Sequence, residues 1–491
     1  MKTPLDNIRG TNPEKAIKSF KAPSFGSTKE EAALQYDVKK HLIFDEVYRP
    51  NKIIDKDTGN TNSKGEVITQ KAEVPVDRIG LPLQNQIVEQ RIGFMLSLPI
   101  RNNMLVVGEE NKKAQELIDL TEAILVKNRM YFRNKEILRR QMSEMECAEL
   151  WYLAENKTGT TMHTMKCKIL SPELGDKLYP LFDGFGDMIA FGRGYITKDM
   201  FDKPVDNFDI YTADINYKYN KKSGGEWALT SLKTPEGKKI KNPSVNPVGK
   251  IMVIYHPQKD TEWANVQSMI QRLEDSVSNH GDMNDYFGSP ILAIAGKIHG
   301  YTEKTQGGKM IQLERDAKAN FLALTTPPDS IKMEQANLRE SIFSLSQTAD
   351  ISFDKVKGIG NLSAIALELL FISSSMAAKS KEETFVVGLQ RRINLIMATI
   401  GTVIQTNLND SVNKVTINPE IIPYMPVDKE ALVEMLADAY DKGAISVEFL
   451  VNTNPFVSDK AKEIELLKAQ IAKGEEIEIK NKLITKPKNE A

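Results

Sequence analysis

The chain has 491 residues, 41% hydrophobic and 27% charged, with 65 lysines plus arginines against 66 aspartates plus glutamates. That length allows about three or four domain-sized units with apolar material for several cores. The formal net charge of −1 argues against a protein that grips DNA through many phosphate contacts, which carries a clear basic surplus. Either nucleic acid is not met, or it is met without being held. Two cysteines, Cys147 and Cys167, exclude a disulfide framework and a four-cysteine zinc site. Residues 1–26 lack the apolar core of a signal peptide. The longest apolar stretch, Ala364 to Ile372, contains Glu368 and runs into three serines, too short and too polar to span a bilayer. The expectation is a soluble protein made in a reducing compartment.

In chain order, residues 1–29 read as a weakly ordered arm. Lys29 to about Tyr48 is helical in pattern, and Asp55 to Gly65 is a turn-rich loop. Asn85–Leu98 is a helix with Ile87, Gln90, Arg91, Phe94 and Met95 turning about one face, ended by Pro99. Lys112 to about Met145 reads as one long amphipathic helix, with Leu117, Ile118, Ile124 and Leu125 on its buried stripe. The period then changes. Leu150–Ala154 and Met165–Leu170 predict a β-hairpin, and Met188–Thr197, Phe208–Tyr219, Trp227–Leu232 and Lys250–His256 predict further strands. A β-rich region behind a helical one makes the fold class α+β.

The second half begins with a helix over Thr261–Asn279, in which Trp263, Val266, Ile270, Leu273 and Val277 recur at spacings of three and four. That is a narrow seam for another helix, inside a bundle or between subunits. Short β-like runs follow (Ile291–Ala295, Met310–Leu313, Phe321–Leu324). Pro327-Pro328, with Asp329 or Ser330 as N-cap, opens a second helix to about Ser346, striped by Ile331, Leu338, Ile342 and Leu345. After a loop, Asp350–Leu362, the longest helix runs to about Asn407, with Glu382-Glu383 as a polar interruption. Two or three short helices lie between Asp428 and Lys473. The Lys/Glu-rich stretch from Gly474 to Ala491 is expected to be mobile.

Motifs that carry chemistry are mostly missing. No P-loop, His-Glu-x-x-His or Gly-x-Ser-x-Gly occurs. Gly184-Phe-Gly186 and Gly192-Arg-Gly194 lack dinucleotide spacing and read as a tight turn between strands. His163 and Cys167 would share one face of a strand, but no nearby sequence supplies further metal ligands. Asp282-Met-Asn-Asp285 reads as a solvated turn at a helix end. No cofactor, metal or catalytic residue is expected.

Three ordered segments then resemble a known family. His256-Pro-Gln-Lys-Asp-Thr-Glu-Trp-Ala-Asn-Val266, with Leu273-Glu-Asp-Ser-Val-Ser278 and Asn284-Asp-Tyr-Phe-Gly-Ser-Pro-Ile-Leu292, resembles the approach to the stem in portal proteins of long-tailed double-stranded DNA bacteriophages. Gly358-Ile-Gly-Asn-Leu-Ser-Ala-Ile-Ala-Leu367 is similar to their loop-to-helix junction after the stem, although Ala364 stands where the family favours Gly. Gly443-Ala-Ile-Ser-Val-Glu-Phe-Leu450, then Asn454-Pro-Phe-Val-Ser-Asp459 with Glu463 and Glu465, is similar to the crown signature. The resemblance covers about residues 75–472. The arm at 1–29 matches nothing in it.

The resemblance implies a portal-type fold: wing 30–256, first stem helix 257–288, clip 289–326, second stem helix 327–348, tunnel loop 349–361, long wing helix and return 362–426, crown 427–473 and mobile tail 474–491. It implies a ring of about twelve subunits at one capsid vertex, the channel for DNA packaging and ejection. In that ring Trp263, Val266, Ile270, Leu273, Val277, Ile331, Leu338, Ile342 and Leu345 would pack the stem. The tunnel-loop residues Ser352, Lys355, Lys357, Gly358, Gly360 and Asn361 would face the duplex without reading its sequence. Ile298 and Tyr301 of the clip would serve partner exchange or packing between neighbouring clips. The implied partners are the terminase large subunit, a head-completion adaptor, and major capsid and scaffolding proteins, with no membrane. The chain would be made in the host cytoplasm and reside in the virion. Two alternatives stay open: another phage structural oligomer, a capsid or tail component, and a non-catalytic subunit of a nucleic-acid-processing complex.

Overall fold

The computed structural model describes residues 4–10, 12–20, 27–61, 67–106, 112–155, 163–222, 224–233, 239–287, 291–295, 298–301, 311–313, 318–322, 328–350, 364–423, 429–457 and 460–472. Contacts divide the chain into two units, residues 1–350 with 376–423, and residues 351–375 with 424–491.

The first unit opens with α1 (Pro4–Arg9), α2 (Pro13–Lys18) and α3 (Ser27–Tyr36), followed by two 3₁₀ turns, Val38–Lys40 and Leu42–Phe44. A hairpin follows, β1 (Lys52–Thr61) with β2 (Val67–Val74), then α4 (Leu83–Leu96) and β3 (Arg101–Val106). Next come α5 (Lys112–Lys127), α6 (Met130–Glu144), β4 (Glu146–Glu155) and β5 (His163–Leu170). The β-rich stretch holds β6 (Lys177–Phe182), β7 (Met188–Lys198), β8 (Pro204–Tyr211), β9 (Ile215–Lys222), the two-residue strands β10 to β13 between Ala228 and Val245, and β14 (Val253–Pro257). Helix α7 (Gln267–Phe287) leads to two antiparallel pairs, β15 (Ile291–Ala295) with β18 (Lys318–Leu322) and β16 (Ile298–Tyr301) with β17 (Ile311–Leu313), and then to α8 (Pro328–Leu345). Helix α9 spans Ala364–Thr399 and passes through a π turn, Ile400–Ile404, and a 3₁₀ turn, Thr406–Leu408, to α10 (Asn409–Val412) and β19 (Val415–Glu420), which pairs with β3. The second unit takes residues 364–375 of α9 with α11 (Lys429–Asp441), α12 (Val447–Thr453) and α13 (Lys460–Ala472), its apolar centre at Val433, Leu436 and Val451.

The mixed α+β reading holds, and the hairpin of β4 and β5 stands with Trp151 opposite Cys167. Several expectations fail for local reasons. The long helix over Lys112–Met145 is broken at Asn128-Arg129. The Asn128 side chain leaves the helical pattern to donate to Ile124 and Met165 carbonyls and to accept from the Cys167 amide, stitching α5 to β5. Arg129 takes up the break at φ 53°. The strand over Phe208–Tyr219 is two strands, because the Thr212 hydroxyl gathers Ile215 into a turn. The loop over Asp55–Gly65 is, as far as Thr61, a paired strand. The arm folds: Ile8, Ala16, Ile17 and Phe20 cover Phe208, Ile210, Tyr217 and Tyr219 on the six-stranded sheet, ordered β10-β9-β8-β7-β6 with β13 also paired to β9. Gly192 makes room there, since a Cβ would strike Phe208 and Phe20.

The largest core lies among α4, α5, α6, the three-stranded sheet β14-β4-β5, the residues entering α7, and α9 from Ala378 onward. Thr261–Val266, expected as helix, is a succession of tight turns that seats Trp263 in this core. Trp263 stacks on Tyr36 at 5.5 Å and donates its indole N–H to Gln35.

Candidate functional site: the base of the paired helices

Helices α7 and α8 pack side by side and run antiparallel. Asn265 donates to the Leu345 carbonyl at one end, and Arg272 pairs with Glu334 further along. Of the seam residues on α7 and the turn before it, Trp263, Val266, Ile270 and Leu273 are buried in the chain's own core, with Val277 partly buried against it. On α8, Ile342 is buried, Leu338 and Ile331 are half-buried, and Leu345 is 51% exposed. An open groove between the helices is lined by Met269, Met333 and Leu338, with Ser330 and Ser341 at its edge.

The opposite side of α7 carries a polar ladder that pattern reading missed. Glu274 accepts from the Leu81 amide, Ser278 from the Ile79 amide and Asp282 from the Asp77 amide, at 2.8–3.0 Å. The registers match for a geometric reason. Four helical residues rise about 6 Å, and two extended residues span about 6.6 Å. Each turn of α7 therefore meets every second amide of segment 77–81. Asp282, read from sequence as part of a solvated turn, also accepts from Arg49 at 2.9 Å and Lys52 at 3.1 Å; burial would raise its carboxyl, but the Asp77 amide first, then Lys52 and Arg49, hold it below the usual range. Gly281 makes room at this approach, because a Cβ would press on the Asp77 carboxylate. His41 donates Nδ1–H to Glu274 (2.7 Å) and Nε2–H to the Gln35 carbonyl (2.8 Å). Both ring nitrogens face acceptors, so the geometry holds an imidazolium. Burial lowers the His41 pKa, and the Glu274 carboxylate outweighs that and raises it.

A fully buried carboxylate and a largely covered one fix the other approach. Glu149, on β4 and fully buried, receives a bidentate pair from Arg392 of α9 (2.8 and 2.6 Å), the Trp151 indole N–H (3.0 Å) and His256 Nε2–H (2.7 Å). The third guanidinium nitrogen reaches Asn134 of α6 at 2.8 Å. Burial alone would raise the Glu149 carboxyl, yet Arg392 and His256 hold it down at about 2. Gly388 lets α9 pass against the His256 ring, where a Cβ would collide. Glu262 sits between Arg91 (3.1 Å) and Lys381 (2.8 Å), and Arg91 also donates to the Ser346 carbonyl just past the end of α8. Helix α4, the turn before α7, the end of α8 and α9 thus meet around one carboxylate.

The remaining sequence candidates fall elsewhere. Ser352, Lys355, Lys357, Gly358, Gly360 and Asn361 lie outside the described residues, as do the side chains of Ile298 and Tyr301. Among the described residues no group of three or more His, Cys, Asp or Glu is placed to hold a metal. Cys167 is buried and its thiol is pushed up to about 12, and burial raises Cys147 as well. Gly184-Phe-Gly186 forms the turn between β6 and β7, whereas Gly192 and Gly194 lie within β7. No helix among the described residues is long and apolar enough to cross a membrane.

These features define a mixed helix-and-sheet protein organised around a helix pair that carries a small β insert. The sequence profile of the family "Phage portal protein, SPP1 Gp6-like" matches residues 30–476, and the chain belongs to that family: it is a phage portal protein. Among solved structures, the neck of a native gene transfer agent particle computed with C12 symmetry matches at 10% identity and TM-score 0.39, covering 79% of this chain and 90% of that one. The virion of a native gene transfer agent particle matches at 10% identity and TM-score 0.36, covering 78% and 88%. No curated protein matches the chain.

Arg392→Met should cost roughly 3–5 kcal/mol, because it strands a buried carboxylate. Adding Glu149→Gln should recover part of that loss, a coupling that denaturant unfolding of the single and double variants would measure. The His41 anchor has the opposite pH sign to a carboxylate. Its stabilisation is fully present below the ordinary histidine value of about 6.5 and is lost as pH rises through the raised one. The melting-temperature advantage of wild type over His41→Gln should therefore shrink between pH 6 and pH 9. A constant difference would show that no proton is linked to this contact.

Proposed function

We propose that this chain assembles into a closed ring of about twelve copies at one capsid vertex, and that double-stranded DNA passes through the ring during packaging and ejection. Family membership over residues 30–476 supports the reading, and the observation that carries it is the α7–α8 pair. Its base is fixed by buried charge, while α8 presents Met333 (63% exposed) and Leu345 beside an open groove. In this reading residues 257–288 and 327–348 form the stem, 289–326 the clip, 30–256 and 362–426 the wing and 427–473 the crown. The seam from Trp263 to Val277 serves the chain's own core, so contact between subunits falls to the exposed side of α8, with Ile331, Leu338 and Leu345 at its margin.

The tunnel loop, 349–361, supplies the DNA-facing groups in this reading. Lys355 and Lys357 form rings of charge that touch phosphates without sequence preference, and Gly358 and Gly360 give the backbone freedom to yield. The chain performs no catalysis. A terminase large subunit docks on the clip, a head-completion adaptor follows it, and major capsid and scaffolding proteins contact the wing. The protein resides in the virion after synthesis in the host cytoplasm.

Negative-stain microscopy of the purified chain should show rings with a central hole, and a monodisperse monomer at high concentration in several buffers would refute the reading. Lys355→Ala combined with Lys357→Ala should leave the rings intact and alter DNA packaging or retention. Unchanged packaging would remove the loop from the DNA path.

A further inference from the structure

Two turns of the six-stranded sheet share one construction. In Asp183-Gly-Phe-Gly-Asp187, the Asp183 carboxylate accepts from the amides of Phe185 and Asp187, both at 2.9 Å. In Asp199-Met-Phe-Asp-Lys203, Asp199 accepts from Phe201 and Lys203 at 2.8 and 3.0 Å. Each turn closes with the same backbone bonds, and its fourth residue lies at positive φ, Gly186 at 90° and Asp202 at 60°. Each holds an aromatic ring out in solvent, Phe185 at 97% exposure and Phe201 at 78%. The turns differ in charge. Lys198 pairs with Asp202 at 2.8 Å in the second, whereas Asp183 and Asp187 of the first form no ion pair among the described residues. Phe185 is thus a preorganised apolar knob flanked by two unneutralised carboxylates.

Elsewhere in the first unit, the junction of α5 and α6 carries a cavity of about 330 Å³, mostly apolar, with Ile100, Leu125, Met130 and Ile393 in its walls. Val126 and Phe132 stand exposed at its mouth. Arg129 lines it, the exposed Lys127 follows Val126 in the chain, and neither forms an ion pair among the described residues. Exposed apolar surface of this kind marks an interaction site. A knob and a complementary pocket at different places on one chain make a head-to-tail contact, the geometry that closes into a ring.

We propose that the Phe185 turn of one copy seats in the α5–α6 pocket of the next, with Asp183 and Asp187 against Lys127 and Arg129. The proposal rests on the ring reading above and supplies one contact between neighbouring subunits. Because the turn is already rigid in the free chain, little ordering entropy opposes docking.

The test is self-assembly of the full chain against concentration, followed by native mass spectrometry and sedimentation. Phe185 touches solvent on nearly all sides, so Phe185→Ser should leave folding and melting temperature unchanged. It should raise the concentration at half-assembly roughly thirty-fold, the effect of losing an interface anchor worth ~2 kcal/mol. Phe201→Ser should have no such effect. Asp187→Lys and Lys127→Glu should each weaken assembly, and together restore it to within a few-fold of wild type. Wild type that never assembles overturns both readings. Rings that form normally with Phe185→Ser overturn this contact while leaving the ring itself standing. Weakening by both charge variants without restoration in the pair overturns the pocket as the seat of the turn.

Discussion

One buried carboxylate governs how this protein is put together. Glu149 sits on the middle strand of the β14-β4-β5 sheet with no exposure, and an ionised carboxylate there is tolerable only if every acceptor site is filled. Filling it takes an arginine from a helix more than two hundred residues away, a histidine from the neighbouring strand and an indole from its own strand. No alternative placement of α9 satisfies that demand, because a shift by one turn would withdraw Arg392 and bring a side chain in place of Gly388 against His256. A net contribution to stability is not the point of such a pair, since an apolar substitute can match it. Its effect is to fix register: β4, α6 and α9 are locked in one arrangement.

From that lock the constraint passes along the chain. His256 ends the sheet and leads directly into the Gln258–Glu262 segment, where Glu262 gathers Arg91 and Lys381. Arg91 then holds the Ser346 carbonyl just after α8, and five residues beyond Glu262 the chain enters α7. The ladder of Glu274, Ser278 and Asp282 on segment 77–81 extends the hold over about two turns of α7, so α7 is gripped along one side and α8 mainly where it ends. A helix pair anchored in this way has a stiff base and a free apolar margin.

The sequence carried the period of each element better than its interruptions. The β4–β5 hairpin was legible because two strand-like runs flank the turn-forming Glu-Asn-Lys-Thr-Gly-Thr-Thr at 155–161, and α8 because two prolines and a polar cap mark its start. The break at Asn128 was not, since an asparagine inside a helical pattern reveals its role only when β5 supplies acceptors for its amide. The strand β1 was hidden by its polar composition, as its side chains do not alternate between water and core. For the site, the apolar seam from Trp263 to Val277 was visible, but whether it meets its own chain or a neighbour is tertiary information, and Tyr36 with Gln35 answers it for Trp263. Two signals were available and unused. Glu149 interrupts an otherwise apolar strand, and Glu274, Ser278 and Asp282 recur every four residues in a stripe beside the seam.

The near-equality of 65 basic and 66 acidic residues takes on a different meaning once partners are known. Arg91, Arg193 and Arg392 are buried and spent on internal carboxylates, and Arg49, Arg140 and Lys381 are tied to the same kind of partner at its edges. Cations committed inside the fold cannot contribute to a summed attraction for phosphate, which is the quantity that sets sequence-independent affinity for DNA. A conduit through which a long duplex must slide needs that sum to be small, with charge placed only where the duplex passes. Neutrality by count, reinforced by the internal use of arginine, meets the requirement for sliding and fails the requirement for gripping. Among the described residues, the charge left free beside exposed apolar groups is local: the acids next to Phe185 and the cations next to Val126.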